Sequence, residues 1–191
     1  GKMSSRTGNV VEAEWLIDKI KEKILEKFKP DKHAAEIIAI AAVKYSFLKN
    51  SVFSQIAFDF DESISLDGNS GPYLLYTYVR TQSVLKKSNN HLGTTWIMDG
   101  IAHIEKEESE LLRLLSRFSE VIYEAAKSLA PSLIANYLYD LSQKYNLFYQ
   151  KHKILESDKN TRNFRLLLTK TTGHMIKNGL YLLGIKTVER M

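Results

Sequence analysis

S-G-P-Y-L-L-Y-T-Y-V-R-T-Q-S-V-L-K-K, residues 70–87, is the stretch of this sequence that indicates most about the fold. Gly71 and Pro72 are typical of a helix start, because proline is tolerated in the first helical turn. At about 100° per residue, the sequence predicts two different faces. The face expected in the core holds Leu74, Tyr78 and Leu85. The other face is an aromatic and basic stripe of Tyr73, Tyr76, Arg80, Val84 and Lys87.

The aromatic and basic stripe supports two interpretations. Tyrosine rings with arginine and lysine are the combination that stacks on unpaired bases and neutralises phosphates. Tyrosines at helical spacing are, however, more often simply packed against neighbouring helices. From spacing alone, packing against neighbouring helices is therefore the more common outcome, and nucleic-acid contact is the less common one.

The rest of the chain predicts an all-α bundle. Apolar residues at helical spacing indicate an amphipathic helix that ends before Pro30, and Asp31 can cap a buried helix running to about Lys49. Further helices are predicted for residues 105–129, from Pro131 onward, and for residues 161–178. Residues 136, 139, 143 and 146 form an uncharged polar side of the helix that begins at Pro131. Between residues 51 and 65, alternating apolar residues predict a short strand or an extended loop, centred near 56–60.

Composition narrows the class of protein. The chain has 191 residues, of which 44% are hydrophobic and 26% charged, with no cysteine. No apolar run is long enough to cross a bilayer, so we expect a cytoplasmic protein without membrane contact. The five histidines never fall four residues apart, and the sequence supports no metal site.

Positive charge is concentrated near the end of the chain. Residues 136–191 hold 10 Lys or Arg against 4 Asp or Glu, a balance of +6, whereas the whole chain carries +5. This asymmetry suits a polyanionic partner, although solvated basic helix faces would look similar.

Several segments resemble one family of enzymes. K-M-S-S-R-T-G at 2–8 resembles the KMSKS loop of class I aminoacyl-tRNA synthetases. Five further segments resemble arginyl-tRNA synthetase in the order that family has them. They are K-Y-S-F-L-K at 44–49, F-D-F at 58–60, S-G-P-Y-L-L-Y-T-Y-V-R at 70–80, A-N-Y-L-Y-D-L at 135–141 and G-L-Y-L-L-G-I-K-T-V-E-R-M at 179–191. The resemblance covers nearly the whole chain and implies a helical anticodon-binding (DALR-type) bundle.

The resemblance also implies a reaction. Arginine and ATP, with Mg, would give arginyl-adenylate and pyrophosphate, and arginine would then move to the 3′ end of its tRNA. Basic residues of the KMSKS loop would help hold the triphosphate, so Lys2 is expected as a catalytic residue and Lys2, Ser4, Ser5 and Arg6 as ATP-binding residues. Ser5 stands where the family has its second lysine.

The same resemblance implies tRNA contacts, chiefly with the anticodon loop of an arginine tRNA. Tyr73, Tyr76 and Arg80 match family contacts, as do Tyr149 and the terminal Met191. Lys153 stands where some members have an aromatic residue and is expected to contact phosphate. Charge adds three candidates that complete the expected tRNA-binding set, namely Lys87, Arg162 and Arg165.

The expected organisation is a C-terminal fragment of a synthetase. Residues 1–10 would be the KMSKS-like loop, 11–100 the stem-contacting and first anticodon-binding part, and 101–191 the C-terminal anticodon-binding helices. Because the HIGH motif and the arginine pocket precede this loop in the family, the fragment alone is expected to be an inactive monomer that binds no cofactor. The alternative is a non-catalytic helical domain whose aromatic stripe docks a partner protein.

Overall fold

The computed structural model describes residues 12–88 and 103–191, and within these ranges the protein is helical. The helices are α1 (Ala13–Phe28), α2 (Lys32–Leu48), α3 (Phe60–Ser63), α4 (Gly71–Lys87), α5 (Lys106–Ser116), α6 (Phe118–Lys127), α7 (Pro131–Lys151) and α8 (Lys159–Leu182). The all-α prediction is confirmed. The expected boundaries after residues 10 and 100 lie outside the described residues, so the three-part division stays a prediction.

Capping side chains mark the starts of three helices, and the first of them, Asp31, is the cap that the sequence predicts. The Asp31 carboxylate accepts a hydrogen bond from the backbone N–H of Ala34 at 2.9 Å, which satisfies an orphan donor at the start of α2. Ser70 does the same for α4, accepting from the Tyr73 N–H at 3.1 Å. Asp158 caps α8 by accepting from the N–H groups of Asn160 and Thr161, so this helix begins two residues earlier than expected.

One local expectation is narrowed and another needs correction. Residues 55–59 are neither helix nor strand, so the loop alternative applies there, and α3 follows them directly. The helix expected over 105–129 is divided at Arg117, although no glycine or proline lies there. At the break the Leu114 carbonyl accepts both the Arg117 N–H at 3.0 Å and the Tyr137 hydroxyl of α7 at 2.9 Å. A tertiary contact therefore accompanies the interruption, which local sequence could not indicate.

Helix α4 lies at the centre of the bundle. It packs against α2 on one side and against α7 and α8 on others, while α7 also covers α5 and α6. Leu74 and Tyr78 are buried as expected, but Leu85 is only half-buried. Tyr73 and Val84, which were assigned to the exposed stripe, are also buried. The helical wheel failed there because a helix with neighbours on several sides buries most of its circumference.

The last residues of the chain fold back onto the bundle. Gly184 takes a left-handed conformation with φ of 67° and ends α8. Lys44 of α2 donates a 2.5 Å hydrogen bond to the Gly184 carbonyl. Of the side chains that follow Gly184, those of Ile185 and Val188 are buried, and that of Met191 is half-buried against the core.

The contact between α4 and α2 predicts a sensitive position. A Cβ atom at Gly71 would lie 2.7 Å from the Ala41 carbonyl carbon and closer still to its oxygen, so Gly71→Ala forces the two helices apart. We expect the free energy of unfolding to fall by about 1 to 3 kcal/mol, measured by urea denaturation. Ser83→Ala, on the exposed side of the same helix, is the control and should change it by less than about 0.5 kcal/mol. Equal losses of stability in Gly71→Ala and Ser83→Ala would contradict the close packing of α4 on α2.

Candidate nucleic-acid interface

Arg80 of α4 lies against two tyrosine rings. Its guanidinium carbon is 4.7 Å from the centre of the Tyr76 ring, one turn earlier on the same helix, and 4.9 Å from that of Tyr149 on α7. Nη2 of Arg80 also donates a 2.9 Å hydrogen bond to the Tyr76 hydroxyl. Guanidinium groups are attracted to aromatic faces, so these three side chains support one another. We call them the Tyr–Arg cluster.

Asn146 joins the Tyr–Arg cluster to the interior. Its Oδ1 accepts from Arg80 Nη1 at 2.6 Å, while its Nδ2 donates to the Tyr73 hydroxyl and to Thr77 Oγ1, both at 2.9 Å. The amide is buried, and all of its hydrogen-bonding groups have partners on α4. One neutral side chain of α7 thus fixes the direction of the Arg80 guanidinium.

Tyr73 sits behind the cluster instead of on an open surface. Its ring meets that of Tyr139 on α7 edge-on, with ring centres 5.6 Å apart. Burial raises the pKa of the Tyr73 hydroxyl, partly offset by the hydrogen bond from Asn146, so this group keeps its proton at neutral pH. Tyr149 is the most open member of the group, with 40% of its surface exposed. The predicted trio does come together, but only Tyr76 and Arg80 retain substantial access to solvent.

Arg165 has a different environment from the one expected. Its Nε donates to Glu108 at 2.7 Å, and Nη1 donates to the Lys153 carbonyl at 3.0 Å and to Ser157 Oγ at 2.9 Å. The Glu108 side chain is only 1% exposed, so its charge depends on this partner. The charge of Arg165 is thus already paired inside the protein, which argues against the expected phosphate contact.

A second carboxylate extends this network. Arg165 Nη2 lies 3.4 Å from His152 Nδ1, and because arginine can only donate, Nδ1 accepts and Nε2 carries the proton. His152 Nε2 lies 3.1 Å from Glu107, which also accepts from Lys151 at 2.5 Å. The Lys151 ammonium, followed by the backbone N–H of Glu107 and by His152, lowers the pKa of the Glu107 carboxyl from 4.5 to about 2.

The remaining candidates are spread over the surface. Lys87 is exposed in the last turn of α4. Lys153 pairs with Glu156 at 3.0 Å, but both side chains are largely exposed. Arg162 is half-buried in the first turn of α8 and forms no ion pair with any described residue. Lys2, Ser4, Ser5 and Arg6 lie outside the described residues.

Sequence reasoning missed Asn146 as part of the site. The signal available was the uncharged polar side of α7, which contains both Tyr139 and Asn146. That pattern could not show which neighbouring helix the polar side of α7 packs against. Among residues 12–88 and 103–191, no group of three or more acidic or histidine side chains is arranged to hold a metal ion. Over the same residues, no helix is both long and apolar enough to span a membrane.

Comparison with known proteins identifies the family. The model of the DALR anticodon binding domain matches residues 74–191. The chain therefore belongs to the DALR anticodon-binding domain family, and the predicted fold type is confirmed. Over its whole length it is 37% identical to the arginine–tRNA ligases of Clostridium kluyveri and Fusobacterium nucleatum, and it covers 35% of each. The chain thus spans about a third of the length of the curated relatives it matches.

Solved structures give the same result. The arginyl-tRNA synthetase of Thermus thermophilus superimposes with a TM-score of 0.86 at 28% identity, over 100% of this chain and 34% of that one. The Plasmodium falciparum enzyme superimposes with a TM-score of 0.80 at 25% identity, over 95% of this chain and 34% of that one. The similarity therefore extends beyond the residues that the family model matches, into α1 and α2.

The two arginines of α8 are expected to differ in what they stabilise. Arg165→Gln leaves the Glu108 carboxylate buried without its charged partner, and we expect the free energy of unfolding to fall by about 3 kcal/mol or more. Arg162→Gln removes the same charge one turn earlier and should change the free energy of unfolding by less than about 0.5 kcal/mol. Denaturant unfolding of the two variants checks this. Similar losses would mean that the Arg165–Glu108 pair has no special role.

Glu107 predicts a pH dependence of stability. Its pKa is lower in the folded protein than the ordinary value of 4.5, so it stabilises the fold above pH 4.5, and this contribution is lost as pH falls toward about 2. We expect Glu107→Gln to be less stable than the original chain at pH 7 and to lose less stability between pH 5 and about 2. Thermal midpoints measured across this range check the result. Glu156→Gln, at an exposed carboxylate, should leave the profile unchanged.

Proposed function

We propose that this chain is the anticodon-binding part of an arginine–tRNA ligase and holds the anticodon loop of an arginine tRNA against α4 and α7. The observation that carries the proposal is the Tyr–Arg cluster, in which a charged guanidinium is held over two partly exposed tyrosine rings. Membership of the anticodon-binding family and similarity to arginine–tRNA ligases support this assignment.

The chemistry of the Tyr–Arg cluster suits single-stranded RNA. Bases of a loop are unstacked from a duplex and can stack on aromatic rings or on arginine. Tyr149 is 40% exposed and can offer part of its surface for such stacking, and Arg80 keeps its positive charge because its anchor, Asn146, is neutral. The cluster therefore combines base stacking with a cation that is oriented before RNA arrives, which reduces the entropy lost on binding.

Nearby lysines divide into two groups. Lys144 pairs with Glu110 at 2.7 Å and Lys151 with Glu107 at 2.5 Å, so their charges are engaged within the protein. Lys153 is 78% exposed and its pairing with Glu156 is of the surface kind that contributes little, so a phosphate can replace the carboxylate. We propose phosphate contacts for Lys87, Lys153 and Arg162. Arg165 is assigned instead to holding the helices that carry them.

The C-terminal residue is part of the proposal. Met191 is half-buried at the end of a segment that packs on the core, so its position is defined by the fold. We propose that it contacts the anticodon loop together with Tyr73, Tyr76 and Tyr149, as the resemblance to synthetases implies. Tyr73 would contribute its hydroxyl edge, since its ring is largely covered.

Catalysis is proposed only for the longer protein. There, arginine and ATP would give arginyl-adenylate and pyrophosphate, and transfer of the arginyl group to tRNA would release AMP. Lys2, Ser4, Ser5 and Arg6 would take part in binding ATP with Mg. We propose a cytoplasmic monomer whose arginine specificity depends on reading the anticodon.

Single tyrosine substitutions test the proposed surface. Tyr149→Ala and Tyr76→Ala should each weaken binding of an arginine tRNA transcript by about 1 to 3 kcal/mol, the range for losing one base stack, with a smaller loss of stability than Tyr78→Ala. Binding is measured by titration of the 191-residue chain. Tyr78→Ala is the matched control, because Tyr78 lies on the buried side of α4 and its loss should cost about 3 kcal/mol or more of stability.

Salt dependence separates RNA binding from protein docking. Contacts with phosphates weaken steeply as salt rises, whereas apolar docking of a partner protein does not. An arginine tRNA with substituted anticodon bases should bind more weakly than the unchanged tRNA. If both tRNAs bind equally, or if the tyrosine substitutions leave tRNA affinity unaltered, the anticodon assignment is wrong.

A further inference from the structure

The hydrogen positions around Asn146 follow from the chemistry of its partners. Arginine has no acceptor, so the Asn146 atom facing Arg80 Nη1 at 2.6 Å must be the carbonyl oxygen. The amide nitrogen therefore faces Tyr73 and Thr77, and its two protons go to the two oxygens that lie 2.9 Å away.

The same argument gives the directions of the hydroxyl protons. Thr77 donates its only hydroxyl proton to the Tyr73 carbonyl at 2.9 Å and must accept from Asn146. The Tyr73 hydroxyl accepts from Asn146, and the Tyr76 hydroxyl accepts from Arg80. Each tyrosine hydroxyl is thus left with its own proton to donate. Residues 12–88 and 103–191 supply no acceptor for either proton.

Arg80 adds further donors to the same surface. A guanidinium carries five N–H groups, and Arg80 uses one on Asn146 and one on Tyr76, which leaves three. The two tyrosine protons and these N–H groups are all donors. A ligand group placed against this surface can satisfy it only by accepting hydrogen bonds.

We infer that Asn146 is a positioning residue, because it orients the Tyr–Arg cluster and Tyr73 so that they present hydrogen-bond donors. The RNA group that binds to these donors is therefore a hydrogen-bond acceptor. The inference rests on the proposed function and adds the chemical character of the bound group. Two sources share that chemistry, namely the acceptor atoms of an unpaired base and the oxygens of a phosphate. Asn146 acts through Tyr73 and Arg80 and does not itself touch RNA.

A carboxylate at position 146 would reverse this arrangement with almost no change in shape. In Asn146→Asp both oxygens accept, so the Tyr73 proton turns inward and the Arg80 charge is compensated. We expect the variant to bind the arginine tRNA at least about tenfold more weakly, since donors to the RNA are lost, while the pairing with Arg80 keeps the chain folded. Tyr73→Phe removes the hydroxyl alone and serves as the second variant if Asn146→Asp fails to fold.

Gln143→Glu is the matched charge control. It places the same carboxylate one turn earlier on α7, at an exposed side chain that donates to the Tyr139 hydroxyl at 2.9 Å and does not touch Arg80. Because exposed charges are screened by salt, we expect affinity within about threefold of the original. Combining Asn146→Asp with Tyr73→Phe should cost less than the sum of the two separate losses, as expected for residues in one network.

Salt titrations identify the source of the acceptor. If it is a phosphate, Asn146→Asp should reduce the slope of log Kd against log salt by about 0.7, the value for one contact with single-stranded RNA. If it is a base, the slope stays the same and the preference for the unchanged anticodon over a substituted one shrinks. Either result supports the inference.

Two results overturn the inference while leaving the proposed function intact. In the first, Asn146→Asp and Tyr73→Phe bind tRNA as tightly as the original chain. In the second, Gln143→Glu weakens binding as much as Asn146→Asp, which makes the effect one of charge only. A failure of the original chain to bind any tRNA is a distinct outcome, and it overturns the proposed function together with this inference.

Discussion

The close approach of α4 to its neighbours is the constraint on which the rest of the bundle depends. A side chain at Gly71 would collide with the α2 backbone at Ala41, and one at Gly173 of α8 would lie 2.5 Å from Thr81 Oγ1. The two glycines, one on α4 and one on α8, therefore allow α4 to pack closely against both α2 and α8. Because α4 is covered on several sides, its polar residues must find partners inside the protein, and Asn146 supplies those partners for Tyr73, Thr77 and Arg80.

That buried link gives the candidate interface its rigidity. Arg80 belongs to α4 and Tyr149 to α7, and the guanidinium lies over the Tyr149 ring because Asn146 and Arg80 hold the two helices in register. A surface arginine without such an anchor would lose side-chain entropy on meeting RNA. In this fold much of that loss has already occurred during folding, and the anchor is a neutral amide that leaves the positive charge uncompensated.

The contrast between Arg80 and Arg165 shows that neighbouring side chains determine whether the charge of an arginine is available to a ligand. Arg80 lies against two aromatic rings and an amide, whereas Arg165 lies against the buried carboxylate of Glu108. Both residues are arginines on helices, and both were expected to contact RNA. Only Arg80 retains a net charge toward solvent, while Arg165 joins α8 to α5. The excess of positive charge near the C-terminus is therefore partly structural.

The sequence by itself determined the helical class, most helix ends and the family. These follow from local features: apolar spacing, the cap Asp31, prolines near helix starts, and motifs in order along the chain. The tertiary structure alone decided that Tyr73 and Val84 are buried, that the helix breaks at Arg117, that Asn146 anchors Arg80 and that Glu108 pairs with Arg165. The tertiary contacts at Tyr73, at the Arg117 break, at Arg80 and at Glu108 all involve a partner at least 20 residues away in sequence. A helical wheel gives the direction of a side chain about its own axis but contains no information about which helix lies opposite.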